Sequence, residues 1–417
     1  FGFGYSASNS IGADYPLLSG GSVPQGKNQV PDFIPVARIA DLLLNPGKEF
    51  PFDGRTLTYP DIRLVWWAGG NPYHHHQDLN RLAKAWEKPD TIITNEWCWN
   101  ANAKRADIVL PCTTPVERDD LCLSQRDSYV VRMEKAVDPP PNVRNDYDIF
   151  RGIARWMNIE PEFSEGMNPD EWIRRIYKQT TVSDGKTGDL ASSQNIDGNA
   201  GKDALTFPDW ETFCEKGWFQ FPIPEEPRVM FKKFVSDPEK YPVDTPSGKI
   251  EIFSETVSGF GYADCPGHPV WMEPFEWLGN GNDDQLHMIS NQPATKLHSQ
   301  LDQGATSRSG KINGREPLMI HPNDANKRGI RDLDVVRLYN KRGSCLAAAV
   351  VTDAIRQGVV QISTGSWWDP DDNGMCRHGN PNALTCDQPT SMLGQGPTAH
   401  TCLVEVEVYT GDLEPIT

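Results

Sequence analysis

Residues 65–82 read VWWAGGNPYHHHQDLNRL, and the order of chemistry in this stretch decides the fold. A β-branched and aromatic run, Ile62 to Trp67, breaks at Ala68-Gly69-Gly70-Asn71-Pro72. From Asp78 onward Leu79, Leu82, Ala83 and Trp86 recur at helical spacing. Strand, glycine loop, helix is the expected order. Downstream, residues 91–94 (TIIT) and 106–110 (ADIVL) supply two more strands, with room between them for little more than a helical turn or two. Upstream, residues 33–44 (FIPVARIADLLL) place Val36, Ile39, Ala40, Leu43 and Leu44 on one helical face and stop at Asn45-Pro46-Gly47. These alternations predict parallel strands with crossover helices, an α/β domain.

Further outward the pattern changes. Residues 1–31 are rich in Gly and Ser and read as loop, and 180–203 turn polar and small, as in an exposed insertion. Residues 205–280 hold many Pro and aromatic residues without clear period, as in an extended connection. From 286 onward, six short β runs (286–290, 318–321, 335–340, 345–352, 359–363 and 403–409) alternate with turns, and six such runs predict a β-barrel. Asn340-Lys341-Arg342-Gly343 suits a hairpin, and 323–328 one short helix. The expected division is an α/β domain over 1–204, a connection over 205–284 and a barrel over 285–417.

Composition narrows the function. The 417 residues allow two to four domains with a sizeable core, and 38% hydrophobic with 10% aromatic residues argues against global disorder. With 40 Lys+Arg against 57 Asp+Glu, the net charge of −17 repels phosphate backbones and disfavours non-specific nucleic-acid binding. No run of about 18 apolar residues occurs and mean hydropathy is −0.54, so no membrane span is expected. Nine cysteines without a C-x-x-C spacing suit free thiols. The chain starts at Phe1 with neither Met nor leader, which reads as a fragment.

In an open α/β sheet, ligands sit beyond the carboxyl ends of the strands. The loop 68–78 leaves such an end, and its glycines let backbone approach a ligand while helix-entry N–H groups suit phosphate. Asp78 could equally serve as the helix N-cap. His74, His75 and His76 suggest metal ligands, but adjacent side chains diverge and the defined zinc spacings are missing. Glu96, after the second strand, stands where nucleotide-binding sheets place a ribose or base acceptor, or is a solvated carboxylate. Asp107 is a ligand or a turn cap. G-x-G-x-x-A occurs at 2–7 and 394–399 without a strand before or a helix after, and Gly185-Lys186-Thr187 lacks the first glycine of a P-loop. No G-x-S-x-G elbow exists. In the barrel, the polar stretches 290–300 and 378–385 are either plain loops or binding elements at a barrel mouth.

Taken with ADIVLPCTTPVERDDL (106–121), TPSGKIEIFS (245–254), LHSQLDQGATSR (297–308), CRHGNPNALT (376–385) and SMLGQGPTAHTCLVEVE (391–407), residues 65–82 resemble the C-terminal portion of a molybdopterin oxidoreductase of the dimethyl-sulfoxide reductase family, in its biotin sulfoxide and trimethylamine-N-oxide reductase branch. The resemblance implies molybdenum held by two molybdopterin guanine dinucleotides and oxygen-atom transfer from an S-oxide or N-oxide, with a separate electron donor, in periplasm or cytoplasm. It implies that Gly70, Asn71, His75, Asp78, Asn95, Glu96, Asp107 and Asp146 bind guanosine and phosphate. It implies that Asn291, Gln292, His298, Ser299, Gln300, Asn382 and Gln395, on a double-psi-like barrel, contact the pterins. The family's protein ligand to molybdenum, a serine in this branch, belongs to an N-terminal half that this chain lacks, so no residue here takes that role and the piece alone is expected to be inactive. Leu333 stands where relatives usually carry Gly, so the turn there is expected to differ.

Two rivals stay open at this point. One is a non-catalytic module holding a guanine dinucleotide without turnover; the other is a histidine-based zinc hydrolase.

Overall fold

The computed structural model describes residues 17–19, 21–30, 32–123, 129–183, 208–220 and 231–416. The chain forms two compact units, one of residues 1–29 and 110–251, the other of 30–109 and 252–417. This grouping differs from the linear division into 1–204, 205–284 and 285–417, because a single hydrophobic core runs from Ala40 and Leu43 through Leu79, Leu82 and Ile92 into the barrel residues Leu318, Val336, Val360 and Val404. Burying each of these Leu, Ile and Val side chains contributes roughly 1.5–3 kcal/mol relative to exposure.

In this second unit, Leu64–Ala68 and Thr91–Glu96 pair in parallel, Trp66 opposite Ile93 and Ala68 opposite Asn95. Ile108–Pro111 is the third strand of the sheet. The helix Leu79–Trp86 begins where expected, capped by Asp78, whose Oδ1 accepts from Arg81 N at 3.1 Å. The loop before it is more ordered than predicted: Pro72–His75 makes one helical turn capped by Asn71. Residues 33–44 form a shorter helix than the periodicity predicts. Pro35 enters a 3-10 turn, Val36–Arg38, and the α-helix covers Ile39–Leu44. Ala37, Ala40 and Leu43 face the core while Val36 is exposed, because the proline delays the helix and rotates its buried face by one position.

The barrel follows the six expected runs closely: Leu286–Ile289, Pro317–Ile320, Val335–Asn340, Gly343–Val351, Val359–Ile362 and Leu403–Val408. It closes because Pro317–Ile320 pairs antiparallel with Val359–Ile362 and parallel with Gly343–Val351. A second parallel pair joins Leu286–Ile289 to Val359–Ile362. The hairpin turns between Asn340 and Gly343, as its composition predicts. A two-residue strand, Met375–Cys376, adds a seventh member outside the closed ring. The short helix is Pro322–Lys327.

The first unit holds an antiparallel sheet of Asp120–Leu123, Tyr129–Met133 and Trp218–Gln220. Its core is Val130, Tyr177 and Phe213. The stretch expected as an extended connection therefore contains regular structure, including the helix Trp210–Lys216 and the strand Trp218–Gln220, where Trp210 and Phe213 supply a buried face, and the short helices Lys232–Ser236 and Glu255–Gly259. Most of the polar stretch 180–203 and the motifs at 2–7 and 185–187 lie outside the described residues. All nine cysteines are free thiols. Among the described residues, no helix is long and apolar enough to cross a membrane.

Candidate functional site

In the second unit the sheet-end loop meets a barrel loop. Residues 69–78 leave the carboxyl end of Leu64–Ala68, and barrel residues 380–385 interlock with them. Asn380 Nδ2 donates to Tyr73 O at 3.0 Å, Asn382 Nδ2 to His74 O at 2.5 Å, and Asp78 N to Thr385 O at 3.1 Å. The His298 ring lies 5.5 Å from that of His74. Tyr73 stacks on Trp368 at 5.1 Å, with Arg105 over both rings.

Within this junction the loop is polar and buried. Asn71, His74, His76 and Gln77 are nearly inaccessible, yet among the described residues Asn71 Nδ2, His74 Nδ1, His76 Nε2 and Gln77 Oε1 have no hydrogen-bond partner. Such groups normally cost about 1–3 kcal/mol each when left unpaired in a folded chain. Burial holds the His74 imidazole down at about 4 and that of His76 at about 3, so both are neutral and each offers one donor and one acceptor. Gly69 and Gly70 both adopt φ +81, and among the described residues nothing lies within 4 Å of a Cβ built on Gly69. Backbone can thus be approached closely there. These features fit a large polar group with phosphate and base.

Beside the loop opens a cavity of about 470 Å³ lined by charged groups, including Asp78, Arg81, Arg342 and Lys48. Its wall is a closed ring of ion pairs. Arg38 meets Asp41 and Asp387, each at 2.9 Å, and Arg81 meets the same two carboxylates, each at 2.5 Å. Arg342 grips Glu276 in a two-point contact at 2.6 and 2.7 Å. Burial raises the Asp78 carboxyl above its usual range, offset in part by Arg81 N–H and the Arg342 charge. One Asp78 oxygen caps the helix, and among the described residues the other accepts no hydrogen bond.

The expected residues divide by what their side chains already do. Gly70, Asn71, His75 and Asp78 share the loop, with His75 exposed beside Trp67. Asn95 accepts from Trp66 Nε1 at 3.0 Å, and Glu96 accepts from Trp97 N and Asn100 Nδ2, tightening its own loop. Asp107 accepts from Ile92 N at 2.7 Å, which puts it at the amino end of Thr91–Glu96, away from Asn95 and Glu96. Asp146 opens the helix Asp146–Trp156 in the first unit. Asn291 accepts from Ser363 Oγ, and Gln292 donates to Lys296 O. Among the described residues, His298, Ser299 and Gln300 make no side-chain hydrogen bond. Asn382 is fully engaged, accepting also from Thr385 Oγ1, and buried Gln395 donates to Pro51 O.

Sequence reasoning missed Arg38, Arg81, Arg342 and Asp387, since lone charges in helices and turns carry no spacing signal. Asn380 was within reach, two residues from Asn382 in a quoted string. The three consecutive histidines diverge, with ring centroids 6.0 and 5.5 Å apart. Among the described residues, no group of three or more His, Cys, Asp or Glu could hold a metal ion. Leu333 adopts φ +68, the left-handed turn that suits Gly.

Comparison with known proteins places the chain among relatives. Residues 5–155 match the Molybdopterin oxidoreductase family model and 286–403 the Molydopterin dinucleotide binding domain. The chain is 43% identical to the biotin sulfoxide reductase of Cereibacter sphaeroides, over 99% of this chain and 53% of that protein. It is 40% identical to the trimethylamine-N-oxide reductase of Haemophilus influenzae, over 100% of this chain and 51% of that protein. The chain thus spans about half the length of the curated relatives it matches. In fold it is similar to acetylene hydratase from Pelobacter acetylenicus, with TM-score 0.61 and 16% identity over 84% of this chain and 45% of that one. With both family models in chain order and relatives near 40% identity along its length, this chain belongs to the molybdopterin oxidoreductase family.

Proposed function

We propose that this chain is the C-terminal part of a molybdenum-dependent oxidoreductase that reduces S-oxides or N-oxides, such as biotin sulfoxide, dimethyl sulfoxide or trimethylamine N-oxide, with electrons from a separate donor. The observation that carries the reading is the interlock of the sheet-end loop with the barrel loop, in which Asn382 reaches His74 O and Thr385 accepts from Asp78 N. Such a junction fits a bis(molybdopterin guanine dinucleotide) group, which when bound supplies two-electron oxygen-atom-transfer chemistry from molybdenum.

The chain's own residues bind and orient. Asp78 accepts from guanine N1–H and N2–H₂ with the carboxylate oxygen not used on the helix. Gly70 and the Asn71 turn present backbone to phosphate, and neutral His75 contributes a donor. His298, Ser299 and Gln300 hold the pterin side. Asn95, Glu96, Asn291, Gln292, Asn382 and Gln395 act chiefly by shaping their loops, and Asp107 by fixing the strand edge. Asp146, an acceptor when ionised, suits a base or ribose donor and not a phosphate. Two parallel pairs in a closed six-stranded ring support a double-psi-like barrel.

The test is elemental and nucleotide analysis of the full-length gene product, followed by assay with reduced viologen on the three oxides. Molybdenum with about two guanine nucleotides per metal is expected. Absence of both sinks the cofactor reading; their presence without turnover of any oxide sinks the activity.

A further inference from the structure

Behind the loop that carries His298, Ser299 and Gln300 lies a buried charge cluster that cofactor contact does not explain. Lys296 and Asp302 bracket these three residues and meet at 3.0 Å. Lys296 also contacts Glu316, and Lys311 lies 2.8 Å from Asp302 and 3.7 Å from Glu316. All four side chains are at most 4% exposed. The two lysines and two carboxylates balance, and neutral His378 faces Asp302 at 3.8 Å. Further hydrogen bonds complete the cluster, Ser366 Oγ to Glu316 at 2.8 Å and Trp367 N to Asp302 at 3.0 Å.

The cluster holds backbone that would not choose its own conformation. His298 and Leu301 sit at φ +50 and +52, where side-chain-bearing residues are disfavoured. Trp367 Nε1 donates to Ser299 O at 2.8 Å, and Gln292 Nε2 to Lys296 O at 2.7 Å. A Cβ at Gly365 would come within 2.1 Å of His298 O, so that wall admits only glycine. Strain of this kind persists only where surroundings over-determine it. A surface turn needs no such support. The loop's polar side chains point outward while its ends are clamped, as preorganisation of a binding element requires.

We propose that Lys296, Asp302, Lys311 and Glu316 form a positioning device that sets the strained 297–301 loop so that His298, Ser299 and Gln300 meet the cofactor without reordering. The inference rests on the cofactor reading above, but its test separates the two. The variant Lys296→Met/Glu316→Gln removes one charge of each sign, keeps an acceptor for Ser366, and leaves the Lys311–Asp302 pair in place.

In the full-length gene product this variant is expected to melt within a few degrees of the parent, while backbone amides of 297–301 exchange at least ten-fold faster. Release of guanine dinucleotide cofactor from the folded protein should quicken by a similar factor. Unchanged amide exchange overturns the device whether or not molybdenum is present, and so does unchanged release despite faster exchange. Should the double variant fail to fold, Trp367→Phe, which removes only the donor to Ser299 O, provides the same readouts with a smaller expected change. A parent protein whose 297–301 amides already exchange as freely as an unstructured chain also overturns it. A parent that holds no molybdenum overturns the cofactor reading alone, because the exchange comparison still stands.

Discussion

The side-chain amide of Asn382 donates to the main-chain oxygen of His74 at 2.5 Å, linking residues 308 apart in sequence. Its Oδ1 accepts from Thr385 Oγ1 at 2.7 Å, and its N–H donates to Asn380 Oδ1. Asn382→Ala leaves the buried His74 carbonyl and the Thr385 hydroxyl unpaired, so a loss of about 2–4 kcal/mol is expected. Denaturant unfolding monitored by tryptophan fluorescence measures it. A loss below about 0.5 kcal/mol would mean that water replaces the amide and the interlock is incidental.

Asp78 combines two jobs that substitution can separate. Its φ of +47 and its cap of Arg81 N are both tolerated by Asn, so Asp78→Asn should stay within about 0.5 kcal/mol of the parent. Asp78→Ala loses the cap and retains a left-handed residue, which costs about 2 kcal/mol. Both should weaken guanine-nucleotide retention by about 10- to 100-fold, as loss of a charge-assisted bond of about 1.5–3 kcal/mol requires. Retention by Asp78→Asn equal to the parent would confine Asp78 to helix capping.

Three buried imidazoles set a pH dependence. Burial holds His76 at about 3 and His74 and His378 at about 4, against about 6.5 when unfolded. For His378, the Lys311 charge adds to this effect. The unfolded chain therefore binds protons that the folded chain refuses, and stability falls as pH drops through 6.5. Each imidazole removes about 1.4 kcal/mol per pH unit down to about pH 4. Urea midpoints at pH 7, 6 and 5 should fall steeply, and His76→Gln should flatten the slope. A midpoint constant from pH 7 to 5 contradicts neutral burial.

Leu333 occupies a left-handed turn at φ +68 while exposed to solvent, and its N–H donates to Ala349 O at 2.9 Å. Leu333→Gly relieves the conformational strain and discards little packing, so stabilisation by up to about 1 kcal/mol is expected. Thermal melting decides; a lower melting temperature would show that unfolded-state entropy outweighs the strain.

Much of this architecture was legible because it follows from local chemistry. The Gly-Gly break after an apolar run marks a strand end, and Asn340 to Gly343 marks a hairpin. The six alternating runs each needed one buried face, so they appear within a residue or two of their expected bounds. Polar side chains were harder to place. Asp107, placed before an apolar run, reads as either a ligand or a turn cap, and Ile92 N claims its carboxylate, a partner that only strand pairing brings near. Glu96 likewise serves its own loop.

Strand identity, helix capping and the glycine loop are properties of short segments, so sequence alone determined them, and the motif strings determined the family. Which segments share a core was decided only by folding. Residues 30–109 pack with the barrel because Leu79, Leu82 and Ile92 join the same apolar interior as Leu318 and Val404, and no local pattern encodes so distant a choice. The Arg38–Asp387 and Lys296–Glu316 pairs are of the same kind: their charges become informative once burial removes water from between them.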